Sequence, residues 1–401
     1  MKKQVLFVDD ESNILNGLKR MLRPMRDKWD MEFAGGGDEA LDLVQRKCFD
    51  VIVTDIKMPQ VNGATLLSKV KEICPFTVRL VLSGQAEIDS IFQVINSSHQ
   101  FISKPCDPDV LSTRIINACN TRELLGSKEV KEIVSEFHSV PVLSQNLYAI
   151  RSLLQDENSN INQIAESVKK DIGLAVKVLH LVNSSYFGRA IETGNITKAV
   201  EILGKDLLKT LVFDNSTFRT WTADPDVFCY ERTTDHSVRV AEFAYSLAKL
   251  EEISIDKCEL AYTAGLLHEL GRVLLAEKKP AVYKKIRSMV ESGNYTLVKA
   301  EKELFTSSHP EIGAYLLSLW NLPKDIVDTI IFHKQPESYP HNEFNILSAV
   351  YVANTLDNCL NPAPRFRPSL ILDEHYIQKL GKLHRIDEWR SLVETKTKEL
   401  K

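Results

Sequence analysis

The chain has 401 residues, 44% of them hydrophobic and 26% charged, with a net charge of -4. That length calls for two or three hydrophobic cores, and that composition excludes a disordered chain. The acidic balance removes any whole-chain electrostatic case for nucleic-acid binding, and no apolar run of about 18 residues offers a membrane span.

Residues 1 to about 120 alternate between two periods. Short apolar runs at 5–8, 51–54 and 78–82, with weaker ones at 31–34 and 101–103, read as strands. Amphipathic stretches at 14–22, 38–44, 66–73, 88–95 and 110–118 read as the helices between them. Strand alternating with helix five times predicts a parallel sheet covered on both faces, which is why Val51-Ile52-Val53 is apolar at successive positions. From 107 to about 137 the pattern is helical, and 123–138 is expected to be a linker helix. Its apolar positions Leu124, Leu125, Val130, Ile133, Val134 and Phe137 fall at near-heptad spacing, which fits either packing on its own domain or the seam of a homodimer. From Val140 onward the periodicity stays helical. A proline-rich stretch (Pro362, Pro364, Pro368) precedes a last charged helix. The seven cysteines form no C-x-x-C pair and are expected to be reduced thiols of a cytoplasmic protein.

Polar residues gather at the predicted strand ends. Asp9 and Asp10 end the first strand, Asp55 the third, Ser83 the fourth and Lys104 the fifth. Ligands of an open doubly wound sheet bind outside the carboxyl ends of its strands. Three carboxylates there repel one another unless a cation intervenes, and hard oxygen donors favour Mg²⁺. Carboxylate nucleophile, metal, hydroxyl and ammonium together suit phosphoryl transfer.

Leu6-Phe7-Val8-Asp9-Asp10-Glu11, Val53-Thr54-Asp55-Ile56-Lys57-Met58-Pro59, Leu82-Ser83-Gly84 and Phe101-Ile102-Ser103-Lys104-Pro105 resemble the receiver domain of two-component response regulators. The resemblance implies a flavodoxin-like five-stranded α/β domain over 1–122, phosphorylated on Asp55 by a sensor histidine kinase. It implies Mg²⁺ held by Asp9, Asp10, Asp55 and the backbone carbonyl of Lys57. Ser83 and Lys104 would contact the phosphoryl group, and Phe101 would be the switch aromatic. On the residues alone, Phe101 is equally a plain core aromatic.

A second resemblance covers the helical part. Val140-Pro141-Val142-Leu143, Lys170-Asp171-Ile172-Gly173-Leu174, Val182-Asn183-Ser184-Ser185-Tyr186-Phe187-Gly188 and Asn195-Ile196-Thr197-Lys198-Ala199-Val200 are similar to the HDOD domain, an all-helical output module related to HD-type metal phosphohydrolases. It is expected over 139–401. Four histidines of the HD pattern persist, at His236, His268, His309 and His333, while its two aspartates become Glu269 and Asn354. A neutral amide and a longer acid are expected to spoil the bridging geometry, so these six residues are read as a vestigial site with no second metal. The expected output is therefore contact with a downstream signalling protein, with no direct DNA binding. The alternative is a phosphorylation-regulated metal phosphohydrolase or phosphodiesterase acting on a nucleotide or cyclic dinucleotide.

Overall fold

A computed structural model of the chain describes residues 2–84, 94, 97–124, 127–135, 140–183, 192–214, 217–222, 224–362 and 372–400. Cα packing divides it into two units. One comprises Met1–Ser139 with His180–Glu192 and Ser318–Asn321, and the other comprises Val140–Leu179, Thr193–Leu317 and Leu322–Lys401.

In the first unit, β1 (Lys3–Val8), β2 (Trp29–Ala34), β3 (Val51–Thr54), β4 (Val78–Ser83) and β5 (Gln100–Ser103) form one parallel sheet in the order β2-β1-β3-β4-β5. Val5, Leu6, Phe7 and Val51, Ile52, Val53 are all buried, as strands covered on both faces require. Helices α1 (Ser12–Met21), α2 (Gly37–Arg46) and α3 (Gly63–Ile73) connect the first four strands. The strand order reverses between β1 and β3. The crevice beyond their carboxyl ends is therefore where Asp9 and Asp55 emerge. The helix expected at 88–95 lies, but for Val94, outside the described residues.

The helical stretch from 107 is two helices, Pro108–Leu124, which covers the helix expected at 110–118, and Lys128–Ser135, which lies within the expected linker 123–138. Val130, Ile133 and Val134 are buried. The side chains of Leu124, Leu125 and Phe137 lie outside the described part. A second difference concerns the cysteines. Cys48 and Cys74 are joined in a disulfide, which corrects the expectation of seven thiols.

The second unit is helical apart from a short parallel pairing of Val140–Val142 with Phe218–Thr220. Its helices are capped as local chemistry directs. Asn160 and Gln163 form a reciprocal capping box at the helix Ile161–Val168, and Asn345 accepts from Leu347 N and Ser348 N. Two glycines let helices meet closely. A Cβ at Gly265 would lie 2.8 Å from Ala241 Cα on the helix Tyr230–Leu250, and one at Gly271 would lie 1.9 Å from His309 O. These contacts bring the segments carrying His236, His268 and His309 together. The segments 184–191 and 363–371, with the Ser184–Gly188 motif and Pro364 and Pro368, lie outside the described residues.

Candidate functional site

Two polar centres arise from these elements. At the sheet rim, Asp9 follows β1 and is buried, Asp10 is exposed beside it, and Asp55 follows β3. Lys104 follows β5 and reaches back, placing its Nζ 2.6 Å from Asp9 Oδ2 and 2.8 Å from Asp55 Oδ1. Asp55 Oδ2 also accepts from Lys57 N at 2.8 Å, and Asp9 Oδ1 accepts from Glu11 N at 3.0 Å. Burial lowers the affinity of Lys104 for its proton, but the hydrogen bonds to Asp55 and Asp9 outweigh it, so its pKa is raised. Phe101 is buried on β5, paired in register with Val81. Ser83 ends β4 opposite Ser103, and its side chain lies outside the described part.

The three carboxylates are hard oxygen donors suited to a divalent cation. In this arrangement the Lys104 ammonium bridges two of them. Among the described residues, the two groups of three donor atoms lying within 4.8 Å of one another are both in the helical unit, so the acidic trio is less tightly gathered.

Those two groups are His236, His268, Glu269 and Glu269, His309, His333. The four histidines come from four helices. His236 lies on Tyr230–Leu250, His268 caps the end of Ile255–Leu267, His309 opens His309–Leu319 and His333 caps the end of Lys324–Phe332. Glu269 precedes Leu270–Lys278 and belongs to both groups. Each histidine uses Nδ1 outward. His268 Nδ1 meets Gly265 O at 2.6 Å, and His333 Nδ1 meets Ile330 O at 2.7 Å. His309 Nδ1 meets Glu301 Oε2 at 2.7 Å, and His236 Nδ1 meets Asp357 Oδ2 at 2.6 Å. A carbonyl acceptor assigns the proton to Nδ1, which leaves Nε2 as a lone-pair donor. The Nε2 atoms of His268, His309 and His333 are buried without a hydrogen-bond partner. His268 Nε2 lies 3.4 Å and His309 Nε2 3.8 Å from Glu269 carboxylate oxygens. Lone pairs facing a carboxylate in a dry site are unfavourable without a cation between them.

Charge supports the same picture in part. Burial takes the His268 pKa down to about 4, against the pull of Glu269, and burial also lowers that of His333. Burial pushes Glu269 up, but Arg272, Lys334 and His309 overcome it and hold the carboxyl well below its ordinary range. Arg272 Nη1 lies 3.1 Å from Glu269 Oε2, and Lys334 Nζ 3.2 Å from Oε1. Those two cations already balance Glu269, whereas nothing balances the three Nε2 lone pairs.

Five of the six residues named from the sequence come together in these two groups, and the sixth, Asn354, carries an amide. Asn354 Oδ1 accepts from Asn358 Nδ2 at 2.8 Å, and the acid that meets His236 is Asp357, which also binds Arg239 at 2.7 and 3.0 Å. Asp357 lies one helical turn beyond Asn354, so i,i+3 spacing was the available signal. Glu301, Arg272 and Lys334 carried no such signal. Glu269 is common to both groups, with its carboxylate also held by Arg272 and Lys334.

Residues 5–116 match the model of the response regulator receiver domain, and residues 140–336 match that of the HDOD domain. This chain is a receiver–HDOD response regulator. An uncharacterized protein of Treponema pallidum (strain Nichols) is 27% identical over 230 residues, 57% of this chain and 44% of that protein. A hydrogenase transcriptional regulatory protein, HoxA, of Cupriavidus necator is 33% identical over 35% of this chain and 29% of its own length. The chain spans less than half the length of these curated relatives. Among solved structures, the MmoQ response regulator of Methylococcus capsulatus is 20% identical, with TM-score 0.49, over 63% of this chain and 98% of that one. The receiver–HDOD chain has, among its described residues, no helix long and apolar enough to cross a membrane.

Proposed function

We propose that Asp55 is the phosphoacceptor of a cytoplasmic signalling protein, loaded by a sensor histidine kinase and read out by the HDOD domain through contact with a downstream protein rather than with DNA. The observation that carries this reading is the Lys104 clasp on Asp9 and Asp55 at the reversal of strand order. Asp55 supplies the nucleophilic oxygen. Lys104, held charged by both carboxylates, is placed to exchange its contact with Asp55 for one with an incoming phosphoryl oxygen. Asp9, Asp10, Asp55 and the Lys57 carbonyl are the residues that would hold Mg²⁺, which supplies charge neutralisation at the phosphoryl group. A phosphoryl group adds close to two negative charges, enough to redirect Lys104 and bias the buried Phe101. The test is labelling by radioactive acetyl phosphate, expected on the native chain and absent from Asp55→Asn. Label at another residue of that variant removes the assignment. Light scattering with and without beryllofluoride reads self-association.

A second reading is favoured by one observation, the three buried, unpartnered Nε2 atoms. In it the HDOD domain is a metal-dependent phosphohydrolase acting on a nucleotide or cyclic dinucleotide. His236, His268, Glu269, His309 and His333 would hold the metal, a nitrogen-and-oxygen donor set of the kind that binds zinc, manganese or iron. The ion would supply Lewis acidity and an activated water. Around it, this chain keeps the His268 and His333 imidazoles neutral by burial and orients each histidine through its Nδ1 contact. Metal content of the purified chain and turnover of bis(p-nitrophenyl) phosphate with Mn²⁺ separate the readings. Turnover lost in His268→Ala supports the enzyme; none in the native chain supports contact output.

A further inference from the structure

We propose that Cys48 and Cys74 are a reversible thiol–disulfide site for a small-molecule disulfide of the glutathione class, and that its oxidation locks the stretch of chain carrying Asp55. Their Cα atoms are 5.6 Å apart, within the span a disulfide accepts. The surrounding backbone holds them there independently of the sulfur bond. Asp50 N donates to Gln4 O at 2.8 Å, Val78 N to Asp50 O at 3.0 Å and Thr77 Oγ1 to Phe49 O at 2.8 Å. On the other side, Cys74 N donates to Val70 O at 2.8 Å and Thr77 N to Cys74 O at 3.0 Å. Two thiols held face to face in this way need little rearrangement to join.

Access is unequal. Cys48 is exposed on the loop after α2, and Cys74 is 2% exposed at the end of α3. An incoming reagent meets Cys48, and Cys74 resolves. The Cys48 thiolate attacks one sulfur of RSSR, giving the Cys48–S–S–R mixed disulfide and releasing RS⁻. The Cys74 thiolate then attacks the Cys48 sulfur and expels the second RS⁻. The two cysteine protons end on two RSH, and two electrons pass from the cysteines to RSSR. In a reducing compartment, a pair of this kind is of the transient, redox-sensing type.

The two residues are 26 apart, and the ring they close contains β3, Asp55, the Lys57 turn and all of α3. The head of α3 is already tied to the same loop. Gly63 N donates to Ile56 O at 2.8 Å, and a Cβ on Gly63 would lie 2.1 Å from Asp55 O. Oxidation therefore fastens α3 at both ends. The consequence for phosphorylation rests on the Asp55 reading; the redox site itself does not.

The experiment equilibrates the full chain across glutathione redox buffers, alkylates the remaining thiols and maps them by mass spectrometry. Cys48 and Cys74 are expected to lose reactivity together, as a linked peptide pair, and Cys48→Ser to abolish the link. Three outcomes overturn the site: independent alkylation at every ratio, a stable Cys48–glutathione adduct beside a free Cys74 thiol, or a link that no ratio opens. Hydrogen exchange over residues 48–74 is expected to be about ten-fold slower in the oxidised chain, and equal rates overturn the locking. Asp55→Asn should leave the redox response intact, so failure of the phosphorylation reading registers separately.

Discussion

The sheet rim and the histidine cluster solve the same problem, several like groups brought together, in opposite ways. At the rim, negative charges meet near solvent and a lysine of the same chain bridges them. Asp10 is exposed and Lys104 partly so, and such a bridge can be exchanged for another partner. In the cluster His268, Glu269, His309 and His333 are buried, burial lowers the pKa of His268 and His333, and each histidine is fixed from behind by an Nδ1 contact. The rim is built to change its contacts, and the cluster is built to keep its geometry. A switch and a rigid ligand cage are the corresponding functional expectations.

The largest expected effect tests the rim. Asp55→Asn should lower phosphoryl labelling by at least about a hundred-fold, because a carboxamide is not a nucleophile for this transfer. The fold should be retained, since the one amide oxygen of the variant can still accept from Lys57 N while Lys104 keeps its contact with Asp9. An unfolded variant by circular dichroism would show that the rim is structural rather than exchangeable.

Gly271→Ala tests the rigidity of the cluster. Its Cβ would sit 1.9 Å from His309 O, against backbone that has no side-chain freedom to yield. Destabilisation of about 3 kcal/mol is expected from such overpacking, read by urea unfolding of the HDOD transition. A shift below about 0.5 kcal/mol would mean that the helix openings at Leu270 and His309 are not held as tightly as their contact implies.

Glu301→Gln sharpens the choice between the two output readings. Glu301 is fully buried and accepts from His309 through both N and Nδ1, at 3.0 and 2.7 Å. A supporting carboxylate of this kind orients a ligand and raises its basicity. If the cluster is a metal cage, Mn²⁺ retention in equilibrium dialysis should weaken about ten- to hundred-fold in the variant. A native chain that retains no metal removes the phosphohydrolase reading altogether.

The two regions were unequally legible in the sequence. The rim could be read because its residues lie at strand ends, and strand ends are marked locally by apolar runs that stop at Asp9, Asp55, Ser83 and Lys104. The histidines could be listed but not placed, because helices of period 3.6 give no register between distant segments. Asp357 meets His236 Nδ1, and only the packing of the helix Ile346–Leu360 against Tyr230–Leu250 decides that. The Cys48–Cys74 contact was hidden for the same reason. It depends on how the α2–β3 loop meets the end of α3, and neither cysteine lies in a motif.

The smallest expected effect concerns a buried acid that serves neither centre. Glu251 ends the helix Tyr230–Leu250 and binds Lys382 at 2.6 Å, Arg385 at 2.7 Å and Trp389 Nε1 at 2.9 Å, fastening the terminal helix Ile386–Glu399. Burial alone would raise its pKa, but these three partners bind the anion and lower it. The folded value therefore lies below the unfolded one, near about 4.3. Stability from this group is full above the unfolded value and is lost as pH falls through the folded one. Glu251→Gln should cost about 1–2 kcal/mol at pH 7 and less at pH 3, so the variant and the native chain should converge on acidification. Thermal melts at the two pH values read this directly. A deficit that stays constant between them would assign Glu251 a packing role and leave its charge without one.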